Sequence, residues 1–361
     1  VIADRSTPLV MTQQYRVVAL PGEGIGSEVV EAALKILQAI AQLKGFSVKV
    51  DYGLIGEPAL NVLGDFFPDA TAKLCEGSDG IVFGAVSRGG LLELRKHFDF
   101  FANLRPVRTF DSLLDKSSLK AEKLQGVDIL FVRELVSGIY FGASGRGEDK
   151  NGAYGYHTMR YGDREIKRIA RVALQKAQNR RGLLTVAHKE NALPHLPWTR
   201  LVLQEAQAFP GVVVEPMLVD NLAMQLVINP QHFDVILAGN LFGDLLSDIG
   251  GAIAGSIGLL GSASLNAKGF GMYEAIHGTA PDLAGKGMAN PLGTLAGVIL
   301  MLQQWGEEEA AQSLIQAQER ILAKGYRTAD LAPQGQEVLV STKELVELFI
   351  EELFVISSQS S

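Results

Sequence analysis

The sequence predicts an α/β fold, and three observations carry that expectation. Short β-rich runs alternate along the chain with segments whose apolar residues recur at helical spacing. Several of the β runs, DGIVFGA, VDILFVREL and DVILAGN among them, are continuously apolar, as strands covered on both faces require. The 361 residues, 47% of them hydrophobic, exceed the usual size of one compact unit, so two domains or one elaborated α/β body are expected.

The elements follow in order. The first ten residues, VIADRSTPLV, lack the charged-then-apolar order of a signal peptide and are expected to be a disordered extension. YRVVAL (15–20) reads as a strand, 21–27 as a glycine-rich turn and 28–43 as a helix, one β-turn-α unit. FSVKVDYGL then reads as a strand with a helix near Ala70, followed by DGIVFGA, VDILFVREL with a helix after Asp163, LLTVAH, VVVEPMLVDN and DVILAGN. Two glycine-rich stretches interrupt the alternation. GASGRGEDKNGAYGYH (142–157) is polar and reads as a hairpin arm; residues 258–287 are too long for a simple connector and read as a functional loop. LAGVILML has the length of a buried helix, and no apolar run approaches the roughly 20 residues that span a bilayer.

Composition narrows the function classes. A formal charge of −7, with basic residues scattered among acids, argues against a nucleic-acid surface and for a small-molecule partner. The lone Cys75 allows neither an intramolecular disulfide nor a cysteine metal site, and a reducing cytoplasm fits. The opening glycine cluster GEGIGSE is spaced G-x-G-x-G and no well-placed acid closes the following strand, so it reads as a structural turn rather than a dinucleotide fingerprint.

Chemistry concentrates elsewhere. In GNLFGDLLSDIGG, Asp244 and Asp248 lie four apart, on one face of a helix, where like charges repel. A divalent cation such as Mg²⁺ or Mn²⁺ would turn that repulsion into binding; a solvated acidic face is the alternative. Asp220, at the end of the strand run VVVEPMLVDN, is the candidate third acid. Arg95, Arg105 and Arg133 sit near the ends of apolar elements, where guanidiniums can grip carboxylates, or else pair with acids at the surface. Tyr140 and Lys189 are a candidate acid and base, with a core tyrosine and a surface lysine as the plainer readings. SRGGLLELR sets Leu91 and Leu92 beside Arg95, a greasy surface next to a cation.

The phrases LLELRKHFDFFANLRPV, VRELVSGIYFG, LVDNLAMQL, GNLFGDLLSD, HGTAPDLAGKGMANP and GYRTADL together resemble the β-hydroxyacid oxidative decarboxylases, in their 3-isopropylmalate dehydrogenase branch, from about Tyr15 to about Leu331. The resemblance implies an α/β two-domain fold with an interdomain active-site cleft, distinct from the Rossmann fold. A discontinuous nucleotide-binding domain (11–105 plus 259–355) would face a dimerisation and metal domain (106–258) whose arm, 142–157, joins the dimer contact. It also implies a homodimer with shared sites. Arg95, Arg105 and Arg133 would hold the two carboxylates of a malate-like substrate, and Leu91 and Leu92 would face its C3 arm. Asp244, Asp248 and the partner's Asp220 would hold Mg²⁺ or Mn²⁺. Lys189 of the partner subunit, oriented by Asp220, would take the hydroxyl proton, and Tyr140 would protonate the enol carbon. Asn191 would lie near the nicotinamide. His277, Gly278, Ala280, Asp282 and Asn290 would form the nucleotide pocket, with Asp282 against the adenosine ribose, which points to NAD because a carboxylate repels a 2′-phosphate.

The expected reaction is NAD-dependent oxidation of 3-isopropylmalate in leucine biosynthesis. A bulkier 3-benzylmalate, D-malate or tartrate, and a non-catalytic paralogue are the alternatives. Departures from the family pattern cluster near the cleft: FGAVSRGGLL is short, with Arg88 at about the place of a glutamate that reaches the nicotinamide ribose. Glu23 and Ser27 stand for Asp and Pro, AHKENAL for VDKANVL, and Ala275 for proline.

Overall fold

A computed structural model describes residues 13–359; the expected extension at residues 1–10 lies outside them. Its frame is one ten-stranded sheet. In chain order its strands are β1 (Gln13–Gly22), β2 (Phe46–Tyr52), β3 (Gly80–Ala85), β4 (Ala102–Arg108) and β5 (Asp128–Glu134). The chain then forms a hairpin apart from the sheet, β6 (Ser144–Asp149) and β7 (Gly152–His157). The sheet resumes with β8 (Leu183–His188), β9 (Val213–Leu218), β10 (Val235–Ala238), β11 (Gly261–Leu265) and β12 (Gly271–Ala275).

Across the sheet the order is β2-β1-β3-β12-β11-β4-β5-β10-β8-β9. Pairing is parallel at both flanks and antiparallel from β12 through β11 and β4 to β5. A Rossmann sheet is parallel throughout its nucleotide half, so the refusal of GEGIGSE as a fingerprint agrees with the topology. Gly24 in that turn has φ +59°, and a Cβ there would lie 1.9 Å from the Thr279 carbonyl oxygen. The glycine exists to let the turn touch the 277–280 backbone.

β3 and β10 are buried along their whole length and β5 nearly so, as their continuous apolar runs require. The helices that cover the sheet include α1 (Gly26–Lys44), closed by Gly45 in the left-handed region, α2 (Glu57–Leu63), α3 (Asp69–Glu76) and α4 (Leu91–His97). Then come α5 (Ala121–Leu124), α6 (Asp163–Gln178), α7 (Trp198–Ala206), α8 (Val219–Ile228) and α9 (Asn240–Ala254). The chain ends with α10 (Leu292–Trp305), α11 (Glu308–Ala323) and α12 (Thr342–Gln359). α10, the LAGVILML segment, is buried against β11 and β12.

Three expectations change. Residues 258–287 are not one functional loop: their first half is the β11–β12 hairpin, buried in the middle of the sheet, and only 276–287 remain a surface loop. Small and polar side chains hid these strands from a reading based on apolar runs. β4 was hidden for a similar reason, since Asn103, Arg105 and Pro106 break its pattern; Pro106 sits where β4 has β5 beside it but has run past β11, so one flank needs no N–H. Asp220 is not at a strand end. β9 stops at Leu218 and Asp220 occupies the first turn of α8.

Candidate active site

A cleft of about 240 Å³ opens over the junction of β4 and β5. The end of β3 and the start of α4 contribute its apolar wall, Val86, Leu91 and Leu92; Arg95, Arg105, Arg133, Tyr140, Asp244 and Glu274 contribute its polar wall. Five of the sequence-selected polar residues therefore meet in one place, from α4, β4, β5, the 3₁₀ turn Gly138–Tyr140 and α9. α9 comes close because it carries glycine where it crosses the sheet: a Cβ on Gly243 would lie 2.7 Å from Arg133 Cγ. That approach sets Asp244 directly over the guanidiniums.

The three arginines are buried and held by fixed partners. Arg95 Nη2 donates to Glu274 Oε1 at 3.2 Å. Arg105 Nε donates to Asn103 Oδ1 at 2.8 Å, and its Nη1 reaches Ser247 Oγ at 2.8 Å and Asp244 Oδ1 at 3.3 Å. Arg133 gives Nε and Nη2 to Asn240 Oδ1 and Nη1 to Asp244 Oδ1. Burial, and the repulsion of neighbouring guanidiniums, pulls Arg105 and Arg133 below the usual arginine range.

Asp244 Oδ2 accepts from the Tyr140 hydroxyl at 3.2 Å. Burial and the Asp244 carboxylate raise the Tyr140 phenol, so it keeps its proton at neutral pH, as an acid must. Asp248, 3.7 Å from Arg105, is also raised, first by burial and against the pull of Arg105; its like-charged neighbour Asp244 adds to the rise. That is the repulsion expected of the i, i+4 pair. Three guanidiniums face the carboxylates of Asp244, Asp248 and Glu274, so a dianion entering with a divalent cation leaves the net charge of the site unchanged. The donor set fits such a cation, although among the described residues no three His, Cys, Asp or Glu side chains of one chain form a metal cluster.

Asp220 stands apart from Asp244 and Asp248 in the hydrogen-bond and ion-pair pattern. It pairs with Lys189 Nζ at 2.8 Å, which lowers its carboxyl below the usual range, and neither residue lines the cleft. Lys189 instead borders a small hollow with Tyr161 and Trp198, and Asn191 is exposed in the turn that follows it. Of the nucleotide-loop residues, His277 and Gly278 line the cleft. Ala280 (φ +38°) packs with Leu283 on Ile25, Val29 and Ala289, and Asp282 is exposed. Asn290 is buried away from the cleft, its Nδ2 donating to Asp330 and its Oδ1 accepting from the Leu292 N–H at the start of α10. Sequence reasoning missed Glu274, Asn240, Asn103 and Ser247. The first lay inside the glycine-rich stretch taken for a loop; the others are neutral polar residues with no charge to draw notice.

The family model described as isocitrate/isopropylmalate dehydrogenase matches residues 16–349. The chain belongs to the isocitrate/isopropylmalate dehydrogenase family. The 3-isopropylmalate dehydrogenase of Zymomonas mobilis is 46% identical over 88% of this chain and 95% of its own length; that of Aquifex aeolicus is 41% identical over 94% and 98%. Among solved structures, an isocitrate dehydrogenase from Methylococcus capsulatus superposes with a TM-score of 0.84 at 29% identity, covering 94% of this chain and 99% of that one. A β-decarboxylating dehydrogenase from Thermococcus kodakarensis gives 0.78 at 30%, covering 95% and 97%.

Within this isocitrate/isopropylmalate dehydrogenase, the departures from pattern have local partners. Arg88 does not line the cleft; it pairs with Glu57, which holds its guanidinium above the usual range, and its charge lies 5.9 Å from the Phe66 ring centre. In AHKENAL, His188 Nδ1 accepts from the Glu190 N–H, and Glu190 Oε1 accepts from the Thr199 N–H at the start of α7 at 2.7 Å. Two of the four substituted residues, His188 and Glu190, thus support each other and the next helix while leaving Lys189 in place.

Proposed function

We propose that this dehydrogenase catalyses the NAD-dependent, divalent-cation-requiring oxidative decarboxylation of (2R,3S)-3-isopropylmalate to 4-methyl-2-oxopentanoate and CO₂, in leucine biosynthesis in the cytoplasm. The observation that carries the reading is one cleft lined both by three buried guanidiniums and by the apolar Val86, Leu91 and Leu92. A dicarboxylate with an apolar arm satisfies both linings, whereas a third carboxylate would have to lie against leucine. The curated relatives carrying the name 3-isopropylmalate dehydrogenase support the same choice.

Residue roles follow from position. Arg95, Arg105 and Arg133 bind and orient the two carboxylates, their forks fixed beforehand by Glu274, Asn103 and Asn240. Asp244 and Asp248, joined by Asp220 of the partner subunit, would hold Mg²⁺ or Mn²⁺, and His277, Gly278, Asp282 and neighbouring loop residues would hold NAD. When bound, NAD accepts the C2 hydride and the cation stabilises negative charge on the C2 oxygen. Lys189 of the partner subunit takes the 2-hydroxyl proton. The C3–carboxylate bond of the resulting 2-oxo acid breaks to release CO₂, and Tyr140 delivers a proton to C3.

The sharing of sites is part of the proposal. Met224, Val227 and Ile228 of α8 are exposed at helical spacing with Asp220, and Leu245 of the adjoining α9 is exposed too. A second copy covering that apolar face would bring Lys189 and Asp220 toward its own cleft. The exposed β6–β7 arm would extend the contact, and the chain would divide into two domains at the β4–β5 pairing. Arg88, turned away from the cleft, favours a second reading in which the arm is bulkier, as in 3-benzylmalate. The test is kcat/KM with NAD and Mg²⁺ or Mn²⁺ for malates bearing hydrogen, isopropyl or benzyl at C3. Isopropyl preference is expected; benzyl preference would assign the second reading, and no turnover of any of the three would refute both.

A further inference from the structure

The loop 86–90 joins β3 to α4, so its position sets where Val86, Leu91 and Leu92 stand in the cleft wall. It is tied from behind by one carboxylate. Glu23, in the turn after β1, accepts the Glu57 N–H on Oε1 at 2.9 Å and both the Ser87 N–H (3.1 Å) and Ser87 Oγ (2.5 Å) on Oε2. One acceptor-only side chain therefore joins three segments: the β1 turn, the start of α2 and the loop. An aspartate there would be one methylene shorter and could not span the same donors without moving the backbone.

Other contacts draw the loop the same way. Arg88 pairs with Glu57 and lies over Phe66. Gly89 (φ +64°) and Gly90 (φ +88°) adopt the left-handed region, and a Cβ on Gly89 would lie 2.3 Å from the Phe66 ring. The loop is seated on residues 55–67, with Arg88 turned out of the cleft.

We infer that Glu23 is a positioning residue for C3-arm selectivity: it fixes loop 86–90 from behind and so sets the position of the apolar wall, without touching substrate. The inference rests on the function proposed above. In Glu23→Gln the side chain keeps its size but turns a donor toward one of its N–H partners, releasing the loop. The experiment compares kcat/KM for unsubstituted, isopropyl and benzyl malate in wild type and variant, with KM for NAD and backbone hydrogen exchange over 86–90. The isopropyl-to-unsubstituted ratio is expected to fall by about fivefold or more, since a methylene's worth of packing carries that order of discrimination. Exchange at Ser87, whose N–H donates to Glu23, should rise, and KM for NAD should stay within about twofold. Arg88→Ala, removing a side chain 72% exposed, should fold whether or not Glu23→Gln does and should shift the ratio in the same direction. An unchanged ratio, or an equal loss on all three substrates, overturns the positioning role while leaving the proposed function standing. A wild type inactive on all three overturns both.

Discussion

Asp244 is the residue on which the site converges, because Arg105, Arg133 and Tyr140 all donate to its carboxylate. Asp244→Asn keeps the shape but removes the charge that balances two buried guanidiniums. We expect turnover to fall by roughly 10²-fold or more and the Mn²⁺ affinity to drop in a titration followed by electron paramagnetic resonance; unchanged Mn²⁺ binding would remove Asp244 from the metal set. Lys189 is a different case. Its ammonium pairs with Asp220 and lies outside its own cleft, so Lys189→Ala should leave the melting temperature nearly unchanged while NADH formation falls by about 10²–10⁴-fold, the range of general base catalysis. A normal rate in that variant would refute the assigned base. These charged residues were legible in the sequence because charge near apolar elements is conspicuous. Their neutral supports were not: Asn240 and Asn103 acquire meaning only when folding delivers an arginine to each.

Two elements bring the polar wall together. α9 does so through Gly243, and Gly243→Ala would force a Cβ against Arg133 with no flexible end to yield. A destabilisation of about 1–3 kcal/mol is expected in urea denaturation, with KM rising more than kcat falls; a neutral variant would show that α9 can shift freely. The turn after β5 depends on Glu134, a buried carboxylate that receives the Val136 and Ser137 N–H groups and Ser137 Oγ. Burial pushes it up to about 7 from an ordinary 4.5, the hydrogen bonds opposing. The unfolded chain therefore releases this proton at lower pH than the folded one, and the group's contribution to stability declines as pH rises from about 4.5 through about 7. On the order of 3 kcal/mol is lost across that window. Glu134→Gln should flatten the decline between pH 5 and pH 8; parallel pH profiles would exclude Glu134 as its source. The parallel flanking strands were readable because burial on both faces writes continuous apolar runs, whereas β4, β11 and β12 carry the polar side chains that line the site and so look like loop.

At the scale of the whole molecule, Lys189 and Asp220 pair with each other outside the cleft of their own chain, and Asp220 shares α8 with the exposed Met224, Val227 and Ile228. Ile228→Glu on that helix is expected to yield a folded monomer in analytical ultracentrifugation with turnover lost by about 100-fold or more. A monomer retaining full activity would show that each chain completes its own site. The mixed sheet also matters at this scale, since β11 and β12 return from late in the sequence to lie between β3 and β4. They join the two flanks of the sheet and bring Glu274 to Arg95 across 179 positions of chain.

By itself the sequence determined the alternation of strands and helices, the hairpin arm, the family, and Arg95, Arg105, Arg133 and Asp244 among the charged residues that line the cleft. Each of these is written in local pattern or in the order of short motifs. Only the tertiary structure decided which strands occupy the middle of the sheet, which neutral residues hold the arginines, and where Arg88 points. Those depend on contacts between residues far apart in the chain, whose energies come from pairing and burial rather than from any local preference.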